Sequence, residues 1–443
     1  MRFVQLPCGC RGKSASLTRR MLLQFRVENH RSLRDEAALS LAAAPALGSD
    51  DRLLRSQAIP EPVLPAVAIY GANASGKTNV LHALGFMQEA VLDSHRTWDP
   101  DGGCPVEPFA FSARKDETSL YEVDLLLNEG RFRYGFVCGR ERVEEEWLHA
   151  WPDGRKQTWF EREGEKLEFG RNFSGPNEAI RKLTRPNSLF LSAAAQNNHP
   201  HLMPIFRWFR MTQVDLTRRR SGHQIPLFWA ELNSRQLSLF QGTEQDERAA
   251  VLELLRTSDT GIEDVRFEES ERSTMGRFRG RPGRILLKHK SSSGDDAAAW
   301  LPLEAESSGT IALMELAPRL TRAFALGSLL CVDEVEASLH PMLALSLLRL
   351  FHDRRRNPLG AQLVFTTHDT NLLGTTLGEP ALRRDQVWFT EKDQEGSTHL
   401  YPLTDFHPRK QENLERGYLQ GRYGAVPFLG ELPALTSDSP AAE

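Results

Sequence analysis

Apolar residues along this chain follow two periodicities, and the switches between them lay out its elements. Short unbroken apolar runs occur at Pro65-Ala-Val-Ala-Ile-Tyr70, Ser328-Leu-Leu-Cys-Val332 and Gln362-Leu-Val-Phe-Thr366. Runs of this length without alternation predict strands buried on both faces of a parallel sheet. After the first run, Val80, Leu81, Leu84 and Met87 recur at helical spacing, which predicts a helix from Asn79 onward. Ile311-Ala-Leu-Met-Glu-Leu-Ala317 reads as a second helix, which Pro318 is expected to kink or end early. Between these blocks the pattern changes. Ser119–Leu127 and Arg131–Cys138 predict strands, and the intervening Asn128-Glu129-Gly130 predicts a hairpin. Trp147–Trp151, Trp159-Phe160 and Leu167–Phe169 continue as short strands, while 177–183, 204–211 and 249–255 read as helical pieces. The expectation is an α/β core interrupted by a β-rich lobe and a helical insert.

Candidate chemistry gathers where the apolar runs end. Gly71, Gly76, Lys77 and Thr78 fit G-x-x-x-x-G-K-[ST] between a strand and a helix, the arrangement of a phosphate-binding loop. Backbone N–H groups and the helix dipole make such a turn an anion site. The candidate nucleotide-binding residues are Gly71, Asn73, Ser75, Gly76, Lys77, Thr78 and Asn79, with Lys77 on the β- and γ-phosphates and the Thr78 hydroxyl on Mg²⁺. The second apolar run ends in Asp333-Glu334, placing one acid to hold Mg²⁺ and the next to orient and polarise a water. The third ends in His368, a group able to hydrogen-bond a γ-phosphate and that water together. Ser307, in Ser307-Ser308-Gly309, is placed to cap the helix that follows. A capped helix N-terminus is a second anion site, which suggests action in trans on nucleotide held by another copy.

The order of these elements resembles that of ABC-type ATPase heads. Asp333-Glu-Val-Glu-Ala-Ser-Leu-His-Pro341 resembles the motif of the RecF, SMC and OLD branch, and Leu23–Leu33 looks like the first strand and loop of those heads. Gly421-Arg-Tyr-Gly-Ala-Val-Pro-Phe428 is similar to the tail of the bacterial ATPases RloA and AbiLii, of the AAA_15/AAA_21 group. The likeness covers 21–430. It implies a P-loop NTPase fold, an ABC-type head with a mixed or parallel core sheet. It also implies ATP and Mg²⁺ as cofactors. Gly71, Asn73, Gly76, Lys77 and Thr78 would be the Walker A residues, Asp333 and Glu334 the Walker B pair, Ser307, Ser308 and Gly309 the signature, and His368 the switch histidine. Gln196 is the candidate for the Q-loop, and His30 and Arg31 in the first loop are expected near nucleotide. The resemblance further implies an ATP-sandwich dimer, and a phage-defence sensor or regulator acting with a separately encoded effector or nuclease of the RloB-like kind. A RecF-like DNA-repair ATPase and a nucleotide-gated scaffold are the alternatives.

Composition narrows this picture. At 443 residues the chain can bury a large core, and a net charge of −4 supplies no global field for indiscriminate nucleic-acid binding. No apolar run reaches the length of a membrane span. The five cysteines are scattered, so a disulfide framework is not expected and a reducing cytoplasm is. The insert lacks sustained heptads, which argues against coiled-coil arms, and 369–443 is too short for a Toprim nuclease domain. Residues 1–20 are expected to be a disordered basic extension, or Met21 the native start. The other divisions expected are 21–97 with Walker A, 98–300 as lobe and insert, 301–430 with the remaining motifs, and 431–443 as tail. Arg218–Arg220, Arg277–Arg284 and Arg354–Arg356 are candidate phosphate-backbone contacts, with a solvated surface the more ordinary meaning.

Overall fold

The computed structural model describes residues 19–427, except 112, 129, 153, 217–243, 259–260, 269–283, 291–298, 337–338, 376–377, 379 and 410. The basic clusters at 218–220 and 277–281, Cys8 and Cys10, residues 1–18 and Phe428 therefore lie outside the described residues. Three sheets organise the rest.

The central sheet has six strands in the order β16-β15-β3-β14-β13-β9. They are β3 Ala66–Gly71, β9 Gln213–Asp215, β13 Leu329–Val332, β14 Gln362–Thr366, β15 Val387–Lys392 and β16 Thr398–Pro402. All neighbours pair in parallel except β15 with β16. The unbroken apolar runs have their reason here, because both faces are covered. Val67 and Ile69 of β3, Leu329 and Cys331 of β13 and Val364 of β14 join one core. Ala66, Ala68, Tyr70, Leu330, Val332, Leu363 and Phe365 join the other. Successive side chains on a strand point to opposite faces, so each of these three strands feeds both cores.

The first core is closed by a seven-stranded antiparallel sheet in the order β2-β1-β4-β5-β6-β7-β8. These strands are β1 Arg20–Glu28, β2 Ala37–Ser40, β4 Ser119–Leu127, β5 Gly130–Cys138, β6 Val143–Trp151, β7 Gln157–Glu163 and β8 Lys166–Phe169. Helices α1 Lys77–Asp93, α2 Asn177–Leu183, α3 Phe190–Gln196 and α4 Met203–Met211 contribute buried residues to the same core. The expected hairpin forms: Leu127 faces Gly130 across a tight turn in which Asn128 takes φ 50°. The second core is covered by α5 Glu244–Thr257, α6 Ser308–Leu326, α7 Pro341–His352 and α8 Leu414–Leu419, with the small sheet of β10 Ile262–Glu268, β11 Arg284–His289 and β12 Trp300–Pro302 beside them.

Three expectations are corrected. The boundary near 98 does not separate the sheets: β1 and β2 belong to the antiparallel lobe, while β9, from inside the insert, edges the central sheet. Arg20, assigned to the extension, opens β1 opposite Leu127. Pro318 does not end its helix; α6 continues to Leu326, and the Pro318 carbonyl accepts the Thr321 hydroxyl at 2.9 Å. None of the helices among the described residues is long and apolar enough to cross a membrane.

Candidate functional site

Each parallel strand ends on the same edge of the central sheet, and the candidate residues collect there. The loop from Gly71 to Gly76 leaves β3, and Lys77 opens α1. Gly76 sits at φ 103°, a conformation that a residue with a Cβ rarely adopts, and a Cβ there would strike the Thr398 side chain. The Ser75 hydroxyl meets that of Thr390 at 2.7 Å, and Thr398 donates to the Ser75 carbonyl at 2.8 Å. Ser32, two residues beyond His30, lies 2.7 Å from the Thr398 hydroxyl and accepts from the Asn79 amide at 2.7 Å. The loop is thus braced from β15, β16 and the first loop together. Lys77 is buried, with its ammonium donating to the carbonyls of Gly71 and Ala72 at 3.0 Å each. Burial lowers its pKa, against the pull of Glu334, Asp333 and Glu336.

Beyond β13, Asp333 accepts the Thr78 hydroxyl at 3.1 and 3.0 Å. The Thr366 hydroxyl, at the end of β14, donates to Asp333 at 2.6 Å and accepts the Glu334 N–H at 2.7 Å. One side chain therefore ties both acids to the neighbouring strand. Glu334 is exposed and takes φ 49°, an uncommon backbone state for a residue with a side chain. His368 follows β14 half-buried; burial and then the Lys77 ammonium lower its pKa, while Glu336, Glu334 and Asp333 oppose the shift. Lys77, Thr78, Asp333, Glu334 and His368 are thus brought to one place. A hydroxyl and a carboxylate in contact suit Mg²⁺, a hard cation that takes one or two protein oxygens and otherwise phosphates and water.

Ser307-Ser308-Gly309, the expected signature, lies apart from this cluster in the sequence and opens its own helix. Ser307 caps α6, accepting the Thr310 N–H at 3.1 Å, as expected of it. Ser307 and Ser308 are exposed and Gly309 is half-buried. Asn73 is exposed on the P-loop. The remaining candidates have other partners. His30 is fully buried, 2.8 Å from the Tyr121 hydroxyl and 3.1 Å from His82, and Arg31 forms a two-pronged pair with Glu107 at 2.8 and 3.0 Å. Ser32 is the member of that loop that reaches the P-loop. Gln196 is exposed at the end of α3, whose first turns bond to Ser94 and His95, beyond the far end of α1 from Lys77. Sequence reading missed Ser32, Thr366, Thr390 and Thr398, since a lone hydroxyl carries no pattern of its own.

Residues 66–374, from β3 through the loop after His368, match the AAA_21 family model, described as "AAA domain, putative AbiEii toxin, Type IV TA system". The chain belongs to this family. Solved structures similar to this AAA_21 chain are heads of SMC proteins. One is an SMC head bound to the C-winged helix domain of ScpA, 13% identical over 86% of this chain and 96% of that one, with a TM-score of 0.42. A second is the SMC head domain from Thermotoga maritima, 12% identical over 86% and 98%, with a TM-score of 0.37. A third is an SMC head with an extended coiled coil, bound to the C-terminal domain of ScpA derived from Pyrococcus furiosus, 12% identical over 91% and 99%, with a TM-score of 0.39. Likeness at this distance transfers no residue roles. No curated protein matches the AAA_21 chain.

Proposed function

We propose that this chain is an ATPase that dimerises around ATP and serves in phage defence, sensing infection or DNA and regulating a separately encoded effector. The observation that carries the catalytic part is the contact of Thr78 and Asp333 beside the P-loop, with Thr366 holding Asp333 and Glu334 on one frame. Backbone N–H groups of Gly71 to Thr78 receive the phosphates, and Lys77 turns from the Gly71 and Ala72 carbonyls to the β- and γ-oxygens. Thr78 and Asp333 hold Mg²⁺, which when bound supplies neutralisation of phosphate charge. Glu334 accepts a proton from the water in line with the γ-phosphorus, and His368 hydrogen-bonds the γ-phosphate from the neighbouring strand. Ser307, Ser308 and Gly309, at an exposed helix start, serve nucleotide held by a second copy. The family description, a toxin of Type IV toxin–antitoxin systems, supports a role beside a separate partner.

A repair-type reading with DNA as ligand rests on one surface feature. Arg19 donates to the Arg55 carbonyl and lies close enough to Arg354 for their like charges to interact, so two arginine side chains from distant segments come together. Turnover of wild type beside Glu334→Gln, with and without double-stranded DNA and with mass measured in each state, tests both readings. Wild type should hydrolyse ATP; the variant should fall at least ~100-fold and accumulate an ATP-dependent dimer. Stimulation by DNA without a toxic partner would favour the repair reading. Absence of turnover together with unchanged mass would overturn the sandwich mechanism.

A further inference from the structure

Two turns leave the central sheet side by side, one carrying Asp333 and Glu334, the other His368. Their strands are parallel neighbours, with Val332 level with Phe365. Three contacts join the turns at Thr366: its hydroxyl to Asp333, the Glu334 N–H to that hydroxyl, and the Val335 N–H to the Thr366 carbonyl at 3.2 Å. Each stops short of His368. Flanking groups are fixed differently: the Thr367 N–H donates to the Ile69 carbonyl at 3.1 Å, and the Asp369 carbonyl accepts the Tyr70 hydroxyl at 3.1 Å. The backbone N–H of His368 itself is taken by Glu336, whose carboxylate accepts it.

We infer that Glu336 is a positioning residue, a latch from the turn bearing the two acids to the backbone of His368. The inference rests on the hydrolytic reading above. Glu336 lies two residues past Glu334, whose φ of 49° leaves that turn in need of external bracing. A carboxylate accepting a backbone N–H makes a stronger, shorter bond than a neutral acceptor does, so the latch fixes where the His368 Cα sits. The second Glu336 oxygen is buried and has no hydrogen-bond partner among the described residues. The carboxylate is therefore committed to His368 by one oxygen only. Glu334 governs the water and His368 the γ-phosphate, so a bond between their turns keeps the two ends of the in-line geometry in register. A loss of register of about 1 Å can cost on the order of 100-fold in rate.

The test compares steady-state ATP turnover of the full chain as wild type, Glu336→Met, Glu336→Gln and each Glu336 variant combined with His368→Ala. Met has the reach of Glu without an acceptor; Glu336→Ala replaces it if Met does not fold, folding being judged by thermal melting and binding of a fluorescent ATP analogue. Glu336→Met should lower kcat by about 10- to 100-fold with KM within about threefold of wild type. Glu336→Gln, which keeps an acceptor oxygen, should recover most of that loss. In the His368→Ala background the Met substitution should cost less than about threefold, because the residue it positions is gone. A merely structural role would give equal factors in both backgrounds, and that result overturns the latch. So does a wild type that turns over beside an unimpaired Glu336→Met. A wild type with no turnover removes the latch together with the hydrolytic reading on which it rests.

Discussion

The central sheet and the antiparallel lobe both hold acids at defined places, and they use them in opposite ways. In the lobe, Glu146 is fully buried and its two oxygens accept the N–H groups of Phe190 and Leu191 at 2.7 and 3.0 Å and the Tyr134 hydroxyl at 3.0 Å. Asp124 is likewise gripped by Arg131 at 2.6 Å and Arg133 at 2.9 Å. These charges are consumed internally, and their service is to join strands to helices. At the strand ends of the central sheet, Asp333 has two hydroxyls for partners and Glu334 is exposed, while the buried Lys77 ammonium donates its hydrogen bonds to the Gly71 and Ala72 carbonyls. A charge satisfied by its own fold stabilises that fold. A charge held against weak partners is available to a ligand, at some cost to stability.

Lys77→Ala gives the sharpest break between the two regions. Nucleotide affinity should fall by at least ~100-fold, measured by titration with a fluorescent ATP analogue, because the charge on the β- and γ-phosphates is gone. The melting temperature without nucleotide should be unchanged or higher, since burial disfavours that ammonium. Glu146→Ala should do the reverse. Three buried donors lose their acceptor, and the urea-unfolding free energy should drop by about 3 kcal/mol, with kcat per folded molecule retained.

Acid should separate the regions next. Burial pushes His30 and His352 down to about 3 from an ordinary value near 6.5. Between those values the unfolded chain binds protons that the folded chain does not, so stability is complete above about pH 6.5 and is lost as pH falls. Each histidine contributes a slope of up to about 1.4 kcal/mol per pH unit. Unfolding free energies at pH 6 and pH 5 should differ less in His30→Gln than in wild type, by about 1 kcal/mol. The smallest effect belongs to Ser307. Ser307→Ala removes an N-cap and should cost about 1 kcal/mol of stability. If Ser307 also serves nucleotide in trans, ATP-dependent dimerisation followed by light scattering should weaken beyond what that loss explains.

The same contrast accounts for what the sequence disclosed. Gly71–Thr78, Asp333-Glu334 and His368 are legible because each terminates an apolar run, and a strand ending in polar chemistry is a pattern. The braces are not legible. Ser32 and Thr398 stand 366 residues apart, Thr366 and Glu334 32 apart, and an isolated hydroxyl looks the same in a turn, a cap or a site. His30 is not legible for a related reason: the resemblance points only to nucleotide, and the partners of its two ring nitrogens, Tyr121 and His82, lie far along the chain. The sheet boundary escapes because β1 lies antiparallel to a strand about a hundred residues later, a pairing that local pattern does not encode.

The bracing of the P-loop by Thr390 and Thr398 has a consequence for the protein's birth. Ser75 and Thr398 are 323 positions apart in the chain. At ~5–20 residues per second a ribosome needs roughly 15 to 60 s to make the second after the first. For that interval the nascent chain carries its phosphate loop without the strands that shape it, so ATP binding becomes a property of a chain synthesised at least past Thr398.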